Sequence, residues 1–270
     1  SRIQQALLPS QRMLGDHSIE HFIFFKPRDI VSGDFYWIGA IRDKLLVVAA
    51  DCTGHGVPGA FMSMLGMTFL DEIVIKSKIT DTSVILEQLR EQIISSLKQT
   101  GQNTMDSSKD GMDLAMVSID LESNEFQFSG AYNPLYLVRK LNRSEKAKLN
   151  KGVALDLPRG CIHDEKHLLL QIRADLMPIG ISEKKDAFQS SSFKNEGYNL
   201  YMFTDGFVDQ FGGPKGKKFM SLNFKKMILE IQSVPMKEQG VAMGKVLSDW
   251  MGNLDQIDDI LVMGLRINKD

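Results

Sequence analysis

Lys44-Leu-Leu-Val-Val-Ala-Ala-Asp51-Cys-Thr-Gly-His55-Gly-Val-Pro-Gly-Ala60 is the stretch on which the fold turns. The unbroken apolar run before Asp51 reads as a buried strand. The glycines then break it. From about Pro58 to Lys76, Phe61, Leu65 and Phe69 recur at fourfold spacing, which predicts a helix. Asp51 therefore sits at the end of a rigid strand and before a sharp turn. Upstream, Phe35–Ile38 is a second strand, and Arg42-Asp43 makes a hairpin of the two. His21–Phe25 is another apolar strand.

Downstream, Ser83–Lys98 carries Val84, Leu86, Leu89, Ile93 and Leu97 as an amphipathic helix. Leu114–Asp120, Glu125–Ser129 and Leu135–Arg139 read as strands, parted by Glu122-Ser-Asn124 and Asn133-Pro134. Lys140–Lys151 is dense in charge and reads as an exposed loop. Lys166–Ile172, Phe188–Phe193 and Asn199–Phe203 are strands, and Gly212–Gly216 is a loop. Helices follow over Ser221–Gln232 and Met236–Trp250, and Ile260–Ile267 is a last strand. Strands mostly follow strands, which predicts an α+β layered domain with antiparallel sheets and external helices.

Composition narrows the function. A formal net charge of -2 over 270 residues lacks the basic field that non-specific nucleic-acid binding needs, so no nucleic-acid partner is expected. No run approaches the ~18 apolar residues of a membrane span, and the expected location is cytoplasmic. The two cysteines, Cys52 and Cys161, have no zinc spacing and read as reduced thiols. The glycines Gly54, Gly56 and Gly59 match neither nucleotide-binding fingerprint.

Acidic residues recur at strand ends. Asp34 follows Ser32-Gly33 and precedes a strand. Asp51 ends one, Asp205 ends another before Gly206, and Asp258-Asp259 precede the last. A single Asp at such a place is ordinarily a turn former or helix cap. Several converging carboxylates would repel one another unless cations neutralised them. Hard cations such as Mg2+ and Mn2+ take oxygen ligands and keep several waters.

Ser32-Gly-Asp-Phe-Tyr36, Ala50–Ala60, Asp110-Gly-Met-Asp113, Thr204-Asp-Gly206 and Asp258-Asp259 occur in the order found in bacterial PPM-type (protein phosphatase 2C-like) serine/threonine phosphatases. The chain resembles their sporulation stage II protein E and sigma-B regulator branch from about Leu8 to Ile267. The resemblance implies an α-β-β-α sandwich of two antiparallel sheets flanked by helices. It implies two Mn2+ or Mg2+ ions and hydrolysis of phosphoserine or phosphothreonine on a signalling protein by a metal-bridging hydroxide.

Carried over by motif, Asp51 bridges both ions and the Cys52 carbonyl helps bind one. Asp34 acts on that ion through water, Asp205 and Asp258 bind the other, and Asp209 is a candidate for a third. His55 is the candidate general acid, set against a role in ordering the turn. Arg28 is the candidate phosphate contact, set against a plain surface arginine. Expected partners are a phosphorylated protein, with anti-sigma-factor antagonists as the family's usual substrates, and a sensor domain preceding Ser1 that could tether the whole protein to a membrane. A homodimer is compatible with the pattern.

The chain departs from the family at Cys52, where Gly is commoner, at Tyr198, and in a longer Asn142–His167 stretch. Residues 1–8 read as the end of a linker helix halted by Pro9, with the phosphatase domain over 9–270. The helix over residues 1–8 is expected to pack near the Pro58–Lys76 helix or across a dimer interface. The rival function is a catalytically weak signalling module binding a partner through the same surface, against which the retained acids speak. A phosphodiesterase is disfavoured because no histidine ligands accompany the acids.

Overall fold

The computed structural model describes residues 8–54, 56–99, 110–184 and 186–267. Two antiparallel sheets stack face to face, with helices on both outer faces. After a short helix, α1 (Arg12–Asp16), come β1 (Ile19–Lys26), β2 (Phe35–Ile41) and β3 (Lys44–Cys52). Helices α2 (Gly56–Leu70) and α3 (Thr82–Ser96) precede β4 (Met112–Asp120), β5 (Glu125–Ala131) and β6 (Leu135–Lys140). The short α4 (Arg143–Asn150) leads to β7 (Ile162–His163), β8 (His167–Ile172), β9 (Ser191–Lys194) and β10 (Asn199–Phe203). Then follow α5 (Gly206–Asp209), the small hairpin β11 (Phe211–Gly212) and β12 (Lys217–Lys218), α6 (Ser221–Glu230), α7 (Met236–Met251) and β13 (Ile260–Ile267). One sheet has the order β1-β13-β10-β6-β8-β7 and the other β2-β3-β4-β5-β9. The expected α-β-β-α sandwich is the fold observed.

Strand period two explains how one chain makes three apolar layers. In β3, Leu45, Val47 and Ala49 face the opposite sheet, together with Val117 of β4 and Leu200, Met202, Leu261 and Met263 of the partner sheet. Leu46, Val48 and Ala50 face the other way, onto Met62, Met67 and Leu70 of α2 and Leu86 and Leu89 of α3. On the far side, Tyr201, Phe203 and Val262 meet Phe224 and Ile228 of α6 and Met243 and Leu247 of α7. A strand covered on both faces has no polar alternation, which is why β3 reads as a continuous apolar run.

The α2 helix begins at Gly56 and passes into a π-helical turn over Asp71–Lys76. Asp71 in that turn accepts a hydrogen bond from the Trp37 indole at 2.9 Å. By length and hydropathy the 21-residue Gly56–Lys76 segment would pass for a membrane span, but half of its apolar window is buried in the protein. Two expectations are corrected. Lys140–Lys151 holds the α4 helix rather than a plain loop, because Asn142 and Glu145 form a reciprocal capping box at its start. Glu145 also pairs with Arg139 at 2.7 Å, which holds its carboxyl down at about 2. The strand expected over Phe188–Phe193 starts only at Ser191, since Phe188 packs into the helix-side core and against Arg90. The linker-helix reading of residues 1–8 falls on residues 1–7, outside the described ones; Leu8 packs against the core.

Candidate active site

Antiparallel pairing brings distant segments to one end of the sandwich. The C-terminal end of β3 lies beside the start of β4, with Asp51 opposite Asp113. The C-terminal end of β10 lies beside the start of β13, with Phe203 opposite Val262. Lys26 at the end of β1 pairs with Ile260. The acids at 34, 51, 113, 205, 258 and 259 thus surround one end of the intersheet space. Asp51 continues the Leu45, Val47, Ala49 parity, so its carboxylate belongs to the face between the sheets. Directly opposed residues of an antiparallel pair share a face, so Asp113 joins it.

Local contacts position each group. Asp34 is buried, and Thr204 Oγ1 donates to its Oδ2 at 2.6 Å. The same Thr204 oxygen accepts from Leu261 N at 3.0 Å, which locks β10, β13 and Asp34 together. The Thr204-Asp-Gly206 turn lies hard against the last strand: a Cβ on Gly206 would fall 1.9 Å from the Asp259 carbonyl oxygen. Similarly a Cβ on Gly59 would fall 2.3 Å from the Gly54 oxygen. Glycine at both places is required by close backbone approach, and a Cβ on Gly33 would likewise fall 2.7 Å from the Gly54 oxygen, so the Asp34 and Asp51 loops meet.

Asp259 has a different task from its neighbour. Its two oxygens accept hydrogen bonds from Arg28 N and Gly33 N, each at 2.7 Å, so this buried carboxylate organises the loop that carries Asp34. An asparagine in its place would set an amide NH2 against one of these two backbone donors. Asp259→Asn should lower the urea midpoint by the equivalent of ~1–3 kcal/mol; an unchanged midpoint would refute the anchoring role.

The electrostatics are those of a crowded acidic pocket. Burial, then Asp34, Asp205 and Asp258, push the Asp51 carboxyl up to about 10. Burial raises Asp34 well above the ordinary range, with Asp259, Asp258 and Asp205 adding repulsion. Burial, then Asp258 and Asp209, raise Asp205. Burial and Asp205 lift Asp113 to about 7. The pocket thus favours protons or cations in place of bare carboxylates. Its donors are all oxygen, which fits hard divalent cations rather than zinc or copper. Among the described residues no group of three or more His, Cys, Asp or Glu is disposed to hold one ion by itself. An ion here would take one or two carboxylates and complete its shell with water, the habit of Mg2+.

The remaining candidates divide. Arg28 is exposed at the rim, where its Nη1 donates to the Ile257 carbonyl at 2.9 Å beside Asp258. Asp209 is paired with Lys218 at 2.7 Å, so a third ion there would compete with an ammonium. The Cys52 side chain is in the helix-side core, and burial pushes its thiol up, which makes it unreactive. Its backbone carbonyl lies near Gly33, 3.1 Å from where a Cβ would stand. His55 lies outside the described residues. The sequence alone assigns Asp113 no role. Its pairing with Asp51 spans two intervening helices, which no local pattern reveals.

Comparison with known proteins agrees with this fold. The family model for stage II sporulation protein E (SpoIIE) matches residues 42–268. The SiaA-PP2C domain of Pseudomonas aeruginosa superposes with a TM-score of 0.76 at 29% identity, over 98% of this chain and 93% of that one. The PP2C phosphatase domain of SpoIIE from Bacillus subtilis, solved with a regulatory fragment, gives 0.66 at 18% identity, over 93% and 62%. RsbX, solved in complex with magnesium, gives 0.54 at 13% identity, over 93% and 96%, a likeness of fold alone. No curated protein sequence matches. A family match across five-sixths of the chain, with its acidic motifs gathered at one end of an α-β-β-α sandwich, makes this a member of the stage II sporulation protein E family of bacterial PPM-type phosphatases.

Proposed function

We propose that the chain hydrolyses phosphoserine or phosphothreonine on a signalling protein, using two divalent cations held by the acidic end of the sandwich. The observation that carries this reading is the convergence of Asp34, Asp51, Asp205 and Asp258 on one intersheet pocket, where burial and mutual repulsion call for cations. Asp51, on the face between the sheets and near enough to Asp205 to feel its charge, would be shared between the two ions. Asp34, immobilised by Thr204, and Asp258, beside the anchored Asp259, flank it. Bound Mn2+ or Mg2+ would supply Lewis acidity, activating water and drawing charge from the phosphate oxygens.

Arg28 is the candidate to orient the substrate. Ile257 O holds one nitrogen of its guanidinium at the rim, and the planar fork suits a phosphate. The Cys52 carbonyl, His55 as general acid and Asp209 as ligand of a third ion stay part of the proposal on the motif alone. The protein substrate is proposed to be of the anti-sigma-factor-antagonist class, in the cytoplasm, from family membership.

The test is phosphate release from a phosphoserine peptide by the purified chain with Mn2+ present. Turnover that saturates with peptide and disappears in Asp34→Asn supports the reading. Tight binding of the peptide without phosphate release would favour a signalling module instead.

A further inference from the structure

The β11–β12 hairpin forms a second feature beside the acidic pocket. It frames a cavity of about 480 Å3 lined by Pro214, Lys215, Lys217, Lys218, Met220 and Trp250, among others. The walls are built. Gly213 N donates to the Trp250 carbonyl at 2.7 Å, and a Cβ on Gly212 would fall 2.0 Å from the same oxygen. The Trp250 indole donates to Gln210 O at 3.0 Å. Gln210, fully buried, also donates to Asp255 O and accepts from Ile257 N. One buried amide therefore ties the cavity wall to the loop that carries Asp258.

Charge distinguishes this cavity from its surroundings. Lys215 and Lys217 are exposed, and Lys218 grips Asp209, four residues beyond Asp205. Lys218 is close enough to act on the Asp205 carboxyl electrostatically. The rim of the pocket is acidic, and the cavity next to it is basic with an apolar floor of indole and thioether. Lysine stems can cover apolar groups while their ammonium ends meet anions.

We propose that this cavity is a docking subsite for an acidic segment of the phosphoprotein substrate, a few residues from the phosphorylated side chain. Glutamates or aspartates of that segment would pair with Lys215 and Lys217, and an adjacent apolar side chain would rest on Trp250 and Met220. The inference rests on the phosphatase reading for the identity of the ligand. The cavity and its charge stand independently of it.

The test uses two synthetic phosphoserine peptides, one flanked by glutamates and one by glutamines. The chain should show a KM about tenfold lower for the glutamate peptide at low salt, as expected for two exposed ion pairs, with the gap closing in high salt. K215E/K217E should abolish that preference while turnover of an aryl phosphate and of the glutamine peptide stays as before. A preference that survives in K215E/K217E, or that is absent from the unaltered chain, overturns the proposal. K215Q/K217Q serves if the charge reversal unfolds the hairpin.

Should neither peptide nor aryl phosphate be hydrolysed, the phosphatase reading fails, and binding decides the cavity alone. Of the two tryptophans Trp37 is buried, so a ligand in the cavity would report through Trp250 fluorescence. A saturable change on adding the unphosphorylated glutamate peptide, lost in K215Q/K217Q, supports the subsite, and its absence overturns it.

Discussion

Replacing Asp51 by asparagine is expected to lower phosphate release about a thousandfold and, at the same time, to stabilise the cation-free protein. Asp51 stands on the intersheet face opposite Asp113 and close enough to Asp205 for the two charges to repel. A neutral amide offers one weak oxygen donor where a carboxylate offers two charged ones. Losing several kcal/mol of Lewis-acid stabilisation of the transition state corresponds to roughly three decades in rate.

The stability gain has a separate origin. With no cation the folded chain must keep the Asp51 carboxyl protonated, because its folded value of about 10 is far above that of an unfolded Asp. Near neutral pH that costs free energy which asparagine does not incur. The gain should be ~1–3 kcal/mol, with the crowded pocket relaxing to reduce the full effect. Activity comes from initial rates in saturating Mn2+, and stability from thermal melts in chelator. An Asp51→Asn chain with near-normal turnover would remove Asp51 from the mechanism. Lost activity with lost cation-free stability would instead mark a folding defect.

The second large effect is that of removing the cations. Exhaustive chelation should abolish turnover, and Mn2+ or Mg2+ should restore it. Cation-free stability should also fall as pH rises. Asp51 and Asp113 have folded values raised above their unfolded ones, so each binds its proton more tightly in the folded state. Their contribution is fully present below the unfolded value near pH 4. For Asp113 it is lost by about pH 7, and for Asp51 it declines up to about pH 10. From pH 5 to pH 9 the melting temperature in chelator should drop by several degrees, and saturating cation should flatten the slope. Full activity after chelation would sink the two-cation mechanism. A flat cation-free profile would show that the carboxylates do not crowd one another.

Much of this was legible in the chain. The uninterrupted apolar run Leu45–Ala50 reads as a buried strand, and its hairpin with Phe35–Ile38 follows from the Arg42-Asp43 turn. Asp34, Asp51, Asp205 and Asp258 stand out because each lies at one end of a strand. Less visible was α4. Its charge density suggests solvent, and only the reciprocal contacts of Asn142 and Glu145 make it a helix. Phe188 likewise carries strand propensity, yet its burial against the helix-side core keeps it out of β9.

The sequence by itself determined the strand and helix periods and which carboxylates flank strands, because these depend on neighbours a few residues away. The tertiary structure alone decided which carboxylates meet. Asp113 faces Asp51 only because β4 pairs with β3 after two intervening helices. Asp258 and Asp259, adjacent in the chain, part company because Asp259 turns to the amides of Arg28 and Gly33 across more than 220 residues. Lys218 reaches Asp209 only once the hairpin folds back. A carboxylate's role depends on burial and on the charges and donors that surround it. Those are properties of the packed sheets and loops, which no local window contains.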